Sequence, residues 1–147
     1  MAAQSKTAVS TAADQAGKQK PPAFIFGARP ETITAPVSFV RVTGEVVELE
    51  CKFKYRTRRE FGELWDEVSN ANVPQPADGE KFSFANLADR GLEFSAERTL
   101  KYLVGWDVEI DLDKAALVQL FDEEPNAAAA FWDAYRAALV DGRVKNS

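Results

Sequence analysis

Four carboxylates at alternate positions, Asp107, Glu109, Asp111 and Asp113, are the first residues whose spacing could do chemistry. A calcium loop begins this way, because alternate side chains converge on one ion. Counted from Asp107, loop position 6 is Leu112 where glycine is needed, and position 12 is Val118 where a bidentate glutamate is needed. The series reads instead as the wet side of an extended segment, with Asp113 free to cap a helix. Nucleophilic chemistry lacks its partners. The chain has no histidine and one cysteine, Cys51. That excludes Ser-His-Asp and Cys-His catalysis, most zinc sites and any internal disulfide. No glycine pattern matches a phosphate-cradling loop, and no carboxylate pair stands out as a glycosidase pair. We therefore expect no catalytic residue, no metal site and no cofactor.

Two clusters remain as candidates for contact rather than catalysis. Lys52, Lys54, Arg56, Arg58 and Arg59 form a local basic patch, either a solvated face partly paired with Glu48 and Glu50 or a dock for an acidic segment. Phe131, Trp132, Tyr135 and Arg136 form an aromatic and basic set on an alanine-rich helix. Phe131 and Trp132 are adjacent and point about 100° apart. Both are buried only if that helix is covered on two sides, so the set is either core or partner-binding surface. Phe61 and Trp65 read as core.

The elements that must position these residues follow from pattern. Over 147 residues, 18 basic against 23 acidic side chains give a net charge of −5, against a phosphate-neutralising nucleic-acid binder. No apolar run approaches a membrane span, and the start lacks the apolar stretch of a signal peptide. Residues 1–22 are rich in Ala, Ser, Thr, Gln and Lys and are expected to be a disordered tail, with a single domain over 23–147. Phe24, Ile25 and Phe26 are expected to pack as an extended segment on the domain edge.

Val37 to Tyr55 reads as a β-hairpin turning at Thr43-Gly44-Glu45. Val47, Leu49, Cys51, Phe53 and Tyr55 alternate with Glu48, Glu50, Lys52 and Lys54, which buries one face. Thr57 and Glu60 have capping-box spacing ahead of the stripe Phe61, Leu64, Trp65, Val68. Lys81 to Leu92 suggests a short helix or turn, with Phe82, Phe84 and Leu87 laid against the core. Ser95 is expected to cap a helix carrying Leu100, Leu103 and Val104 and ending near Gly105. Trp106 to Leu112 then reads as an extended link. Asp113 caps the next helix, and Pro125 opens a last one running from Asn126 to about Val140. The expected fold is α+β: an antiparallel hairpin or small sheet packed against three to four helices.

The order of these motifs resembles the phage tail assembly chaperones of long-tailed phages. The resemblance covers Val37 to Asn146. It rests on the basic, aromatic run FKYRTRREFGELWDEV (Phe53 to Val68), on Gly105-Trp106-Asp107 and on the leucines of Leu117 to Leu120. Pro125, Ala134-Tyr135 and Lys145-Asn146 complete it. It implies a protein that binds the tape measure protein and keeps it soluble until the tail tube forms around it. It also implies work in the cytoplasm of the infected bacterial host and absence from the mature virion. A −1 frameshift at Lys145-Asn146, which AAA AAC can encode, would give a longer product that recruits tail tube protein. The alternative is a structural virion component, such as a tail terminator or head–tail joining protein.

Overall fold

The computed structural model describes residues 23–72, 75–76, 79 and 81–142. The tail over 1–22 and the Lys145-Asn146 pair lie outside the described residues. Strand β1 (Thr32–Val40) and strand β2 (Val46–Lys54) form the hairpin. Helix α1 (Arg58–Asn70), helix α2 (Phe84–Thr99), strand β3 (Leu103–Trp106), helix α3 (Lys114–Glu123) and helix α4 (Ala127–Val140) follow. The sheet has order β1-β2-β3 and both pairings are antiparallel. With four helices beside it, the architecture is α+β.

The hairpin begins at Thr32, five residues ahead of the expected Val37, and runs in unbroken register from Thr32↔Lys54 to Val40↔Val46. Pro36 sits inside β1, opposite Glu50. The turn has a local cause. The Gly44 amide donates to the Arg41 carbonyl at 2.8 Å, and the Arg41 amide donates to the Glu45 carbonyl at 2.8 Å. Gly44 takes φ +91°, the left-handed position that a three-residue hairpin loop requires.

One face of the sheet is buried. Ala35, Val37 and Phe39 of β1, Cys51 and Phe53 of β2 and Leu103 of β3 all belong to one core. Helix α4 packs on β1 and brings Ala127, Phe131, Tyr135 and Ala138 into it. Helix α1 contributes Phe61 and Leu64, α2 contributes Ala96, and α3 contributes Leu117 and Phe121. The α1 capping box forms as its spacing predicts. Thr57 Oγ1 accepts from the Glu60 amide at 3.2 Å, and Glu60 Oε1 accepts from the Thr57 amide at 3.0 Å. Asp113 caps α3 by accepting from the Ala116 amide at 2.8 Å.

Several expectations are corrected. The helix placed over Ser95 to Gly105 does not exist in that frame. The cap of α2 is Ser83, twelve residues earlier, and the helix stops at Thr99, so Ser95 lies in its interior. Leu103 to Trp106 instead form β3. Their apparent helical spacing loses to the open edge of β2, where the Lys54 amide donates to the Tyr102 carbonyl at 2.8 Å. Val and Trp also suit a pleated surface. The expected extended link from Trp106 to Leu112 is a strand only at Trp106. Residues 107–110 bend, and Trp106 Nε1 donates to the Ile110 carbonyl at 2.8 Å.

Phe82, Phe84 and Leu87 do not lie against the core; Phe82, just ahead of the Ser83 cap, and Phe84 and Leu87, on the first turn of α2, are exposed, and the buried residues of α2 are Ala96 and Thr99. Phe24, Ile25 and Phe26 do not pack on the domain edge either, and are 82%, 67% and 88% exposed. Trp65, expected in the core, is 43% exposed. Pro125 lies one residue before the α4 cap position rather than at the first helical position. Asn126 takes the cap position, and its side-chain amide donates to the Val40 carbonyl at 2.9 Å, which ties the start of α4 to the end of β1.

Candidate partner-binding surfaces

Helix α4 separates the four candidate contact residues by its geometry. Phe131 and Tyr135 are four residues apart, share the inner face and are fully buried. Trp132 and Arg136 are each one position on, turned about 100° away, and are half-buried. Of the set, only Trp132 and Arg136 reach the surface.

Tyr135 is a structural hub. Its ring stacks on Tyr102 at 4.7 Å and packs against Phe53 at 5.3 Å. Its hydroxyl donates to the Lys54 carbonyl at 2.9 Å and accepts from Arg56 Nη1 at 2.9 Å. Arg56 Nη2 donates to the Lys101 carbonyl at 3.0 Å. Arg56, one of the expected basic patch, is thereby drawn into the fold as a clamp between β2, the α2–β3 turn and α4. Burial pushes the Tyr135 phenol above its usual range, partly offset by the Arg56 guanidinium.

Trp132 caps this cluster at the surface. Its ring stacks on Phe61 at 5.5 Å and meets Trp65 edge-on at 5.6 Å. Trp65 in turn meets Phe61 edge-on at 5.7 Å. The result is a pair of partly exposed indoles held on a rigid aromatic base. Sequence pattern assigned Trp65 to the core because it falls on the α1 stripe. That stripe is wider than the seam α4 covers, so its edge stays in contact with solvent.

A second surface feature carries no sequence signal. An apolar groove of about 310 Å³ is lined by Phe39, Val47 and Leu49 of the hairpin, Trp106 at the end of β3, Ile110 in the segment after it, and Leu120 of α3. Arg41, Glu123 and Glu124 stand at its rim. The almost buried Glu124 carboxylate clasps the hairpin turn. It accepts from the Val42 amide at 3.0 Å and from Arg41 Nε at 3.0 Å, and Arg41 Nη1 also reaches Glu45 at 3.3 Å. The Val42 N–H, ahead of the Arg41 guanidinium, holds the Glu124 carboxyl below the usual carboxylate range against the opposing effect of burial. These partners lie 82 and 83 residues away in sequence, beyond the reach of any local pattern.

Two of the four alternate carboxylates are otherwise occupied. Asp107 accepts from the Glu50 amide at 3.1 Å, and Asp113 is a helix cap. Among the described residues, no cluster of three or more His, Cys, Asp or Glu side chains could hold a metal ion. Cys51 is buried; burial first, then the nearby Asp107 and Glu50 charges, pushes its thiol up to about 12, so it is a packing residue rather than a nucleophile. Among the described residues no helix is long and apolar enough to cross a membrane.

No curated protein and no solved structure matches the chain. A family model does, over residues 22–146, which takes in the exposed Phe24–Phe26 segment ahead of the sheet as well as every element of the fold. With that match spanning most of its length, the chain belongs to the phage tail assembly chaperone family.

Proposed function

We propose that this chain binds the tape measure protein and keeps it soluble until the tail tube assembles around it. The observation that carries the proposal is the family match over residues 22–146. In this role the chain acts in the cytoplasm of the infected bacterial host, performs no catalysis and is left out of the finished virion. Residues 23–147 act as one domain behind a tail over 1–22. A −1 frameshift near Lys145-Asn146 supplies a longer form that recruits tail tube protein.

The contact assigned to the client is the Trp65 and Trp132 pair with Arg136 beside it. Partly exposed indoles on a rigid base present apolar area at little entropic cost and keep an N–H for a polar edge. Arg136 adds a long stem and a charge at the margin. Phe131 and Tyr135 support this face from within and do not touch the client.

The test is co-expression with the tape measure protein encoded downstream, scoring its solubility and co-purification. Wild type is expected to keep the client soluble and bound. A Trp65→Gln, Arg136→Glu double variant, folded by circular dichroism, is expected to retain roughly tenfold less client. A wild-type chain that neither solubilises nor binds the client overturns the proposal. Its recovery from purified virions would then favour a structural component of the particle.

A further inference from the structure

We propose that the Trp65 and Trp132 face receives an amphipathic helix of the client, laid across Gly62 with its apolar side on the indoles and its carboxylates on Arg58 and Arg136. The inference rests on the assignment of this face to the client and names what the client presents there. The seam between α1 and α4 has a fixed direction. Trp65 meets Trp132 at 5.6 Å, while Phe61, one turn earlier in α1, meets Tyr135, about one turn later in α4, at 5.7 Å. The two helices therefore run antiparallel here. Arg56, just ahead of α1, donates to the Tyr135 hydroxyl at 2.9 Å, in keeping with that direction.

Spacing along each helix sorts the surface. Gly62 follows Arg58 by four residues and Trp65 follows Gly62 by three, so the three share one side of α1. Trp132 and Arg136, four apart, share one side of α4. Antiparallel packing brings Arg58 and Arg136 toward the same end of the seam, beyond the indoles. Neither is in an ion pair with another described residue; the pairs among those residues are made by Arg29, Arg41, Lys101 and Lys114. Arg58 also stands in the first turn of α1, where the helix dipole disfavours a cation, so it does not serve its own helix. Two such guanidiniums at one end of an apolar patch complement a partner with carboxylates at that end.

Gly62 makes the occupant a helix. It lies inside α1 and is exposed, and a Cβ added there would meet no atom within 4 Å. Alanine would fit and would hold the helix better, so packing within the chain does not call for glycine. What glycine leaves is a bare step beside Trp65, where a second backbone can come close. A groove along paired helices takes a third helix through anchors at i, i+3, i+4 and i+7. Arg58 is seven residues from Trp65, about 10 Å along the axis. The client helix accordingly carries its carboxylates about two turns from its apolar anchors, with a small residue between them.

The probe is a fluorescein-labelled, alanine-based helical peptide of about 20 residues. It carries two leucines one turn apart and two glutamates two turns further on. A second peptide has glutamine in place of both glutamates. Binding to the full-length chain is read by fluorescence anisotropy. Wild type is expected to bind the glutamate peptide roughly fivefold more tightly than the glutamine peptide. An Arg58→Gln, Arg136→Gln double variant is expected to lose that preference and still bind the glutamine peptide as wild type does. Gly62→Leu is expected to bind both peptides at least roughly tenfold more weakly while melting no lower than wild type. That pairing marks a lost contact rather than a lost fold. If Gly62→Leu loses its circular dichroism signature, Gly62→Ala takes its place, with an expected weakening of roughly threefold. A wild type that treats the two peptides alike overturns the proposal, as does unchanged binding in the folded Gly62 variant. Co-expression separates the two readings. A tape measure protein retained equally by wild type and by the Gly62 variant keeps the client assignment and overturns the helix laid across Gly62.

Discussion

At the level of single residues, two aromatics three positions apart on α4 show how one helix divides labour between its faces. Tyr135 faces inward, where its hydroxyl joins β2 to Arg56. Trp132 faces outward over Phe61. Replacing Tyr135 by Phe keeps the ring and removes both hydrogen bonds, leaving the Lys54 carbonyl without its tyrosine donor. We expect a loss of about 1–2 kcal/mol, read as a lower urea midpoint with an unchanged slope. An unchanged midpoint would show that the hydroxyl adds nothing beyond its ring. Which of the two aromatics faced inward was not legible in the sequence, because both suit a core. Only the placement of α4 on β1, tied by Asn126 to Val40, decides it.

Among the elements, those whose signals are local were legible and those recruited by a distant edge were not. The hairpin alternation, the Gly44 turn, the Thr57 capping box and the Asp113 cap each depend on residues within a few positions, and each forms as its spacing predicts. Strand β3 is the opposite case. Leu103 and Val104 fit a helical stripe until β2 offers unpaired backbone groups, and no window around them contains that information. The same holds for α2, where Phe82 ahead of the Ser83 cap and Phe84 and Leu87 on the first turn are exposed.

The two N-caps should consequently differ in what they control. Thr57→Ala breaks a capping box on a helix that buries Phe61 and Leu64. It is expected to cost about 1 kcal/mol of global stability, seen in the thermal or urea midpoint. Ser83→Ala removes the acceptor for the Asn86 amide at the exposed end of α2. It is expected to speed hydrogen exchange over the first turns of α2 while leaving the global midpoint nearly unchanged. Equal effects of both variants on the midpoint would show that α2 unfolds as one unit with the core.

For the whole molecule, one core holds the sheet and four helices together, and Phe131 lies within it, fully buried and packed between Trp106 and Phe121. Phe131→Ala is expected to cost about 3–5 kcal/mol, a large part of the stability of a domain this size, and to lower soluble yield. Loss of client binding in that variant would accompany loss of the near-ultraviolet circular dichroism signal. Binding lost with that signal intact would move Phe131 to the contact surface. The shape of the sheet sets a further property of the whole chain. The Tyr55 amide donates to the Glu31 carbonyl and the Arg41 amide to the Glu45 carbonyl, which fixes the alternation along β1, so Pro36 falls in a non-hydrogen-bonded pair with its nitrogen turned away from β2. That is the free margin of the sheet, and Pro36 leaves a gap in its row of donors. An incoming strand would meet an interrupted template there, which guards a nine-residue margin against amyloid-like growth. The β1 edge thus carries a built-in brake on strand-to-strand polymerisation.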